Sequence, residues 1–270
     1  MKKKRNIPGF KTTMAATTVW LGLLVLVPLS SIVVTSWALP ASEFWKIVWN
    51  PRSIAAYELT FGGALIAALV NAGLGLLIAW VLARYDFFGK NFINSLIDIP
   101  FALPTAVAGL TYSSLYGQEG WLGRFLHPLG IQAVQSRLGV CLVLTFVSLP
   151  FVVRSLQPVF EDLGTESEEA AHSLGATRWQ AFRLVIFPSV FPALLTGVAL
   201  AFARAVGEYG SLVFVAGTKD TEFAPLLIMY QLEQTNFSGA AAIALVLLVA
   251  SFMINGGINL LSRWSRRHEE

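Results

Sequence analysis

The chain has 270 residues, of which 55% are hydrophobic and 13% charged, about half the charged share of an average soluble domain. That balance argues against a soluble globular protein and for lipid as the main solvent. The net charge of +3 is too small for a nucleic-acid footprint, and basic residues gather at the ends, at Lys2, Lys3, Lys4 and Arg5 and at Arg263, Arg266 and Arg267.

Stretches free of Asp, Glu, Lys and Arg mark the candidate spans. They cover residues 12–42 (31 residues), 59–83 (25), 99–118 (20), 138–153 (16), 184–203 (20) and 234–262 (29). A spanning helix needs about 20 such residues. The fourth run is shorter, but Arg137 and Arg154 bracket it and can snorkel outward. Six transmembrane helices are predicted, in an all-α polytopic membrane protein. An N-tail over 1–14 and a C-tail over 263–270 flank a membrane domain over 15–262. The first run is too long for a signal-peptide core of about 7–15 residues, so it is read as an uncleaved helix.

With the N-terminus inside, the inner segments hold 13 Lys and Arg residues and the outer loops 5, and Arg204 lies within a span. The outer five are Lys46, Arg52, Arg124, Arg137 and Lys219. The positive-inside rule then puts both termini in the cytoplasm. Pro28, Pro100, Pro104, Pro150, Pro188 and Pro192 interrupt the apolar runs and predict kinks. Small residues at four-residue spacing, Ala193, Gly197, Ala201 and Ala205 and also Ala64, Ala68 and Ala72, predict close helix packing. The lone Cys141 can form no intrachain disulfide and reads as a small hydrophobe.

The loop between the fourth and fifth spans, residues 161–183, is polar and patterned. Thr165 with Glu168 spells a capping box, so a helix should begin there with acidic residues in its first turn. Gly175 is placed to end it in a left-handed conformation. Thr177 with Gln180 forms a second box leading toward the fifth span. Two short helices around a glycine turn are predicted on the cytoplasmic side.

Within that loop, Glu169-Ala170-Ala171, then Gly175, then Val185-Ile186-Phe187-Pro188 resembles the EAA motif of ABC-importer permeases. Val185 and Phe187 depart mildly from the usual Ile-x-Leu-Pro ending. The resemblance implies a type I importer permease fold, with a coupling helix between the fourth and fifth spans that docks on a cytoplasmic ATPase. Glu168, Glu169, Ala170, Ala171, Leu174, Gly175 and Arg178 are the docking residues it implies. Farther on, Phe202-Ala-Arg-Ala-Val-Gly-Glu-Tyr-Gly-Ser211, Ala224-Pro-Leu-Leu-Ile228 and Gly239-Ala-Ala-Ala-Ile243 are similar to T-type permeases of sulfate/thiosulfate importers. Molybdate permeases share the core Gly207 to Gly210 but resemble the rest less, so molybdate or tungstate is the alternative substrate. The resemblance further implies a second, W-type permease subunit, a dimeric ATPase carrying ATP and Mg, and a periplasmic anion-binding protein. No cofactor is expected on this chain, and the setting implied is a bacterial inner membrane.

Charges inside the apolar runs are the other candidates, because a charge at a helix centre costs about 2.5–3.5 kcal/mol on insertion scales. Arg204 and Glu208 are one turn apart and are expected to pair, with a role for Arg204 along an anion path as the alternative. Asp98 lies beside Pro100 and Pro104 and is a candidate for a polar bond or a gate. Neutral donors could line the path instead: Thr105, Thr111, Ser113, Ser114 and Ser211, with Tyr209 alongside. An intramembrane hydrolase is disfavoured, since His127, His172 and His268 lack metal-site spacing and no phosphate-binding Gly-Lys-Ser/Thr loop occurs. A passive channel would need no docking loop.

Overall fold

A computed structural model describes residues 9–218 and 221–266. The basic residues Lys2 to Arg5, Lys219 and Arg267 lie outside this range. Among the described residues there are ten helices of eight residues or more and no strand. They are α1 Phe10–Trp37, α2 Ala41–Val48, α3 Pro51–Arg84, α4 Lys90–Ala102, α5 Thr105–Tyr116, α6 Arg137–Leu163, α7 Glu166–Ser173, α8 Arg178–Val206, α9 Ala224–Glu233 and α10 Phe237–Arg266.

Five of these, α1, α3, α6, α8 and α10, are long and apolar enough to cross a membrane. The third predicted span is different. It is a broken pair, α4 and α5, bent by 111°. The cause is local: a residue before proline avoids the helical region, and Leu103, ahead of Pro104, is extended at φ −84°, ψ 128°. Pro28 and Pro188 act more gently. Each follows a π-helical turn, Gly22–Leu26 and Phe182–Ile186, which widens the helix where the proline ring would meet a carbonyl. Pro150 and Pro192 are carried inside helices without a break.

The core is the trio α3, α6 and α8. Ala64, Ala67, Ala68, Ala79 and Ala201 are fully buried, so both predicted small-residue rows face helix contacts. Val152 of α6 is wedged between two glycines. A Cβ on Gly75 of α3 would stand 2.7 Å from its Cγ1, and one on Gly197 of α8 3.0 Å from its Cα. Backbone approach of this kind is how helices associate where lipid removes the hydrophobic incentive. Asn71 of α3 adds a polar tie, its Nδ2 donating to the Thr145 carbonyl at 3.0 Å and to Ser148 Oγ at 2.9 Å. Cys141 is half-buried and apolar in setting.

Two ends follow from the topology. One gathers Arg84, the 85–89 turn, α7 and the start of α8. At the other, Arg52 bonds Glu222 at 2.6 and 2.7 Å, and Gln135 N–H donates to the Val215 carbonyl at 2.7 Å.

Candidate functional site

The loop after α6 forms around Gly164 and Gly175, both at positive φ, +61° and +86°. The helix expected at Thr165 begins there, but its capping box does not form: Thr165 makes no side-chain cap. Glu168 turns instead to Arg84, whose Nη2 lies 2.8 Å from its Oε1. The Thr177–Gln180 box is complete, with Thr177 N–H donating to Gln180 Oε1 at 2.8 Å and Gln180 N–H to Thr177 Oγ1 at 3.3 Å. That second helix is not separate, since it runs on through Phe182–Ile186 as the start of α8.

The implied docking residues divide by face. Glu169, Ala170, Gly175 and Arg178 are exposed, and Leu174 is bare at 89%. Ala171 points inward, where its small size serves packing beneath the helix. Leu174, Trp179 and Leu184 are exposed apolar side chains of this segment, and Glu166 and Glu169 are exposed acids of the first turn of α7.

At mid-protein, two chain interruptions meet. α8 ends at Val206, and residues 207–211 leave the helix before one further turn, Leu212–Val215. Glu208 is fully buried and holds this segment. Its Oε1 accepts from Ser211 N–H at 2.9 Å and Ser211 Oγ at 2.7 Å, and its Oε2 lies 2.7 Å from Arg204 Nη1. α5 presses against the same segment. A Cβ on Gly109 would stand 2.2 Å from the Ser211 carbonyl oxygen, and one on Gly210 would stand 2.2 Å from Thr105 Oγ1. Ser113 Oγ donates to the Phe214 carbonyl at 2.6 Å. The break at Pro104 and the unwound 207–211 segment are thus brought side by side.

The expected Arg204–Glu208 pair is present. Ser211 is buried and committed to Glu208, Thr105 is half-buried against Gly210, and Tyr209 is partly exposed beside them. Asp98 stands apart, on the α7 side of the break. Arg154 does not snorkel outward as expected. It turns to α4 because Asp98 offers a carboxylate there, donating Nε to Asp98 Oδ1 at 2.8 Å and Nη2 to Asp98 Oδ2 at 2.7 Å.

Residues 71–267 match the family described as binding-protein-dependent transport system inner membrane component. The chain belongs to this permease family. It is 49% identical over 255 residues to the sulfate transport system permease protein CysT of Synechocystis, covering 93% of this chain and 89% of that one. With the same-named protein of Escherichia coli K12 it shares 43% identity over 270 residues, 99% and 98% of the two chains. Among solved structures, a bacterial alginate ABC transporter in complex with an alginate pentasaccharide-bound periplasmic protein superposes with a TM-score of 0.78. That likeness covers 94% of this chain and 93% of the other at 14% identity, and so speaks for the fold.

Sequence reasoning missed several residues that build this permease's site. Arg84 carried no signal beyond ending an apolar run, since its partner is 84 positions away. Gly109 looks like any span glycine, and Gly210, though part of the Gly207 to Gly210 core, shows its packing role only once the two interruptions are placed together. Arg154 was visible as a charge, but only the bend at Pro104 shows which helix it grips.

Proposed function

We propose that this chain is the T-type permease subunit of an ATP-driven sulfate importer in a bacterial inner membrane, with both termini in the cytoplasm. The observation that carries the substrate is its 43–49% identity to sulfate permeases over nearly the whole length. It forms half of the path, the other half being a W-type permease subunit. A dimeric ATPase that holds ATP and Mg docks at α7, through Leu174 and Glu169 and the neighbouring exposed residues. The solved alginate transporter of the same fold, in complex with a periplasmic protein, supports a soluble anion-binding protein as the delivering partner.

No bond is made or broken on this chain. Closure of the ATPase displaces α7, and the displacement tilts α6 and α8, to which α7 is joined. The anion path runs past the paired interruptions, where backbone amides at the start of α5 and the Thr105 hydroxyl are neutral donors. Neutral donors suit a dianion that must also leave, because a site in a channel or transporter has to bind weakly enough to release. Arg204 is closed by Glu208 and acts as the brace of the unwound segment.

The test is ATPase activity of the co-purified complex with its binding protein, comparing sulfate, thiosulfate and molybdate. Stimulation by sulfate is the expected result. Stimulation by molybdate alone would keep the importer and replace the substrate.

A further inference from the structure

The α7 end of the fold contains a contact that the docking motif does not call for. Arg84 is the last residue of α3, and its Nη2 reaches 2.8 Å from Oε1 of Glu168 in the first turn of α7. The side chains are 9% and 23% exposed, so the pair is largely withdrawn from water. Glu166 and Glu169, in the same turn, are exposed. Glu168 is therefore the one acid of that turn directed at the body of the protein.

The two groups are close but not aligned. Neither Arg84 Nη2 nor Glu168 Oε1 has a hydrogen-bond partner of good geometry, and Arg84 Nε has none either. The attraction is coulombic more than directional, so it tolerates sliding of one helix over the other, which a bidentate pair would resist. Beneath it lies an aromatic cluster. The Arg84 guanidinium sits 6.0 Å from the ring of Trp80. Trp80 packs edge-on against Phe160 of α6 and Phe182 of α8, each at 5.5 Å, and Phe182 stacks on Trp179 at 5.7 Å.

Covalently, α7 is tied only to α6 and α8. The Arg84 contact gives it a third attachment, to α3, the remaining member of the core trio. We propose that Arg84 is a positioning residue that passes the movement of α7 to α3. The Arg84–Glu168 pair is the sliding link, and the Trp80 and Phe182 rings are the surface it moves over. The proposal rests on α7 being the ATPase-docking helix. Without the link, α7 drives α6 and α8 while α3 lags, and ATP is hydrolysed without a completed transport stroke.

The experiment uses the complete importer in proteoliposomes and reads anion uptake per ATP hydrolysed, together with retention of the ATPase on purification. Arg84→Gln and Arg84→Glu are expected to retain the ATPase but lose about fivefold or more in uptake per ATP, the lower range of a coupling between sites. Exchanging the charges, Arg84→Glu with Glu168→Arg, should restore most of it, which a merely misfolded variant would not do. Unchanged uptake per ATP in the single variants would overturn the proposal. So would an assembled charge exchange that restores nothing, or an Arg84→Gln protein that loses its ATPase, since the pair would then build the docking surface. If the parent complex itself retains no ATPase, the docking reading fails first and the link falls with it.

Discussion

Arg154 commits all five of its N–H groups, four of them to α4 across the helix crossing and one to Gln157 of its own helix. Besides Asp98, it donates to the Asn94 carbonyl at 2.8 Å, to Asn94 Oδ1 at 2.8 Å and to Gln157 Oε1 at 2.6 Å. Lysine offers three donors and no fork, so Arg154→Lys cannot reproduce the pattern. Asp98 is half-exposed, so solvent screens the pair, and Asp98→Ala should cost only about 1 kcal/mol. That corresponds to about 2–4 °C in the thermal midpoint of the detergent-solubilised protein for a chain of this size. A variant that melts with the parent would show that α4 is held by its apolar contacts alone. Glu208 is a different case, because its side chain is 1% exposed and its partner Arg204 28% exposed. Breaking a fully buried pair costs about 3–5 kcal/mol, somewhat less here given that exposure, so Arg204→Gln should reduce assembly. Removing both charges, Arg204→Gln with Glu208→Gln, should recover assembly and transport, because neutral replacement of a buried pair is often tolerated. If the double variant assembles but uptake stays low, Arg204 serves the path itself and the brace reading is wrong.

At the scale of elements, the spans were legible because charge-free runs measure helix length directly. All five long helices outgrow those runs at one end or both, as α3 does by including Arg52 and Glu58, since charged side chains at a helix end reach water without ending the helix. The 99–118 run shows the limit. Its length promised one span, whereas the geometry depends on Pro104 acting on Leu103, and nothing local says whether a proline kinks, widens or breaks. Pro192 is carried inside its helix, Pro28 follows a widened turn, and Pro104 breaks its span. Capping chemistry misled in the same way, because Glu168 had a choice between its own helix end and a cation from α3. The bend matters for packing. Alanine at Gly109 or Gly210 would put a methyl carbon 2.2 Å from its neighbour, with backbone as the obstacle at Gly109. Overpacking of that kind costs about 1–3 kcal/mol, and both variants should lose transport. Gly62→Ala, with nothing within 4 Å of the new carbon, is the control and should transport as the parent does. Equal activity of all three would mean that α5 and the 207–211 segment separate freely.

For the molecule as a whole, the bias of Lys and Arg toward one set of loops makes a statement about two faces, and the fold decides which residues share a face. Contact between Arg84 and Glu168 unites the 85–89 turn with α7, while Arg52–Glu222 and Gln135–Val215 unite the loops at the other end. Two exposed leucines sample the two faces: Leu174 beside α7, at 89%, and Leu129 in the 117–136 loop, at 72%. Single cysteines can be introduced at each after Cys141→Ala, a change that removes only one half-buried thiol. A membrane-impermeant maleimide applied to sealed cells should then label Leu129→Cys and leave Leu174→Cys untouched until the membrane is opened. Once it is opened, co-expressed ATPase should shield Leu174→Cys and have no effect at Leu129→Cys. Labelling of Leu174→Cys from outside would invert the orientation, and with it the side on which ATP could act. Labelling only after opening, but without any shielding, would keep the orientation and move the docking surface away from α7. The two outcomes separate because the charge bias sets the face, whereas exposed side chains such as Leu174 set what binds there.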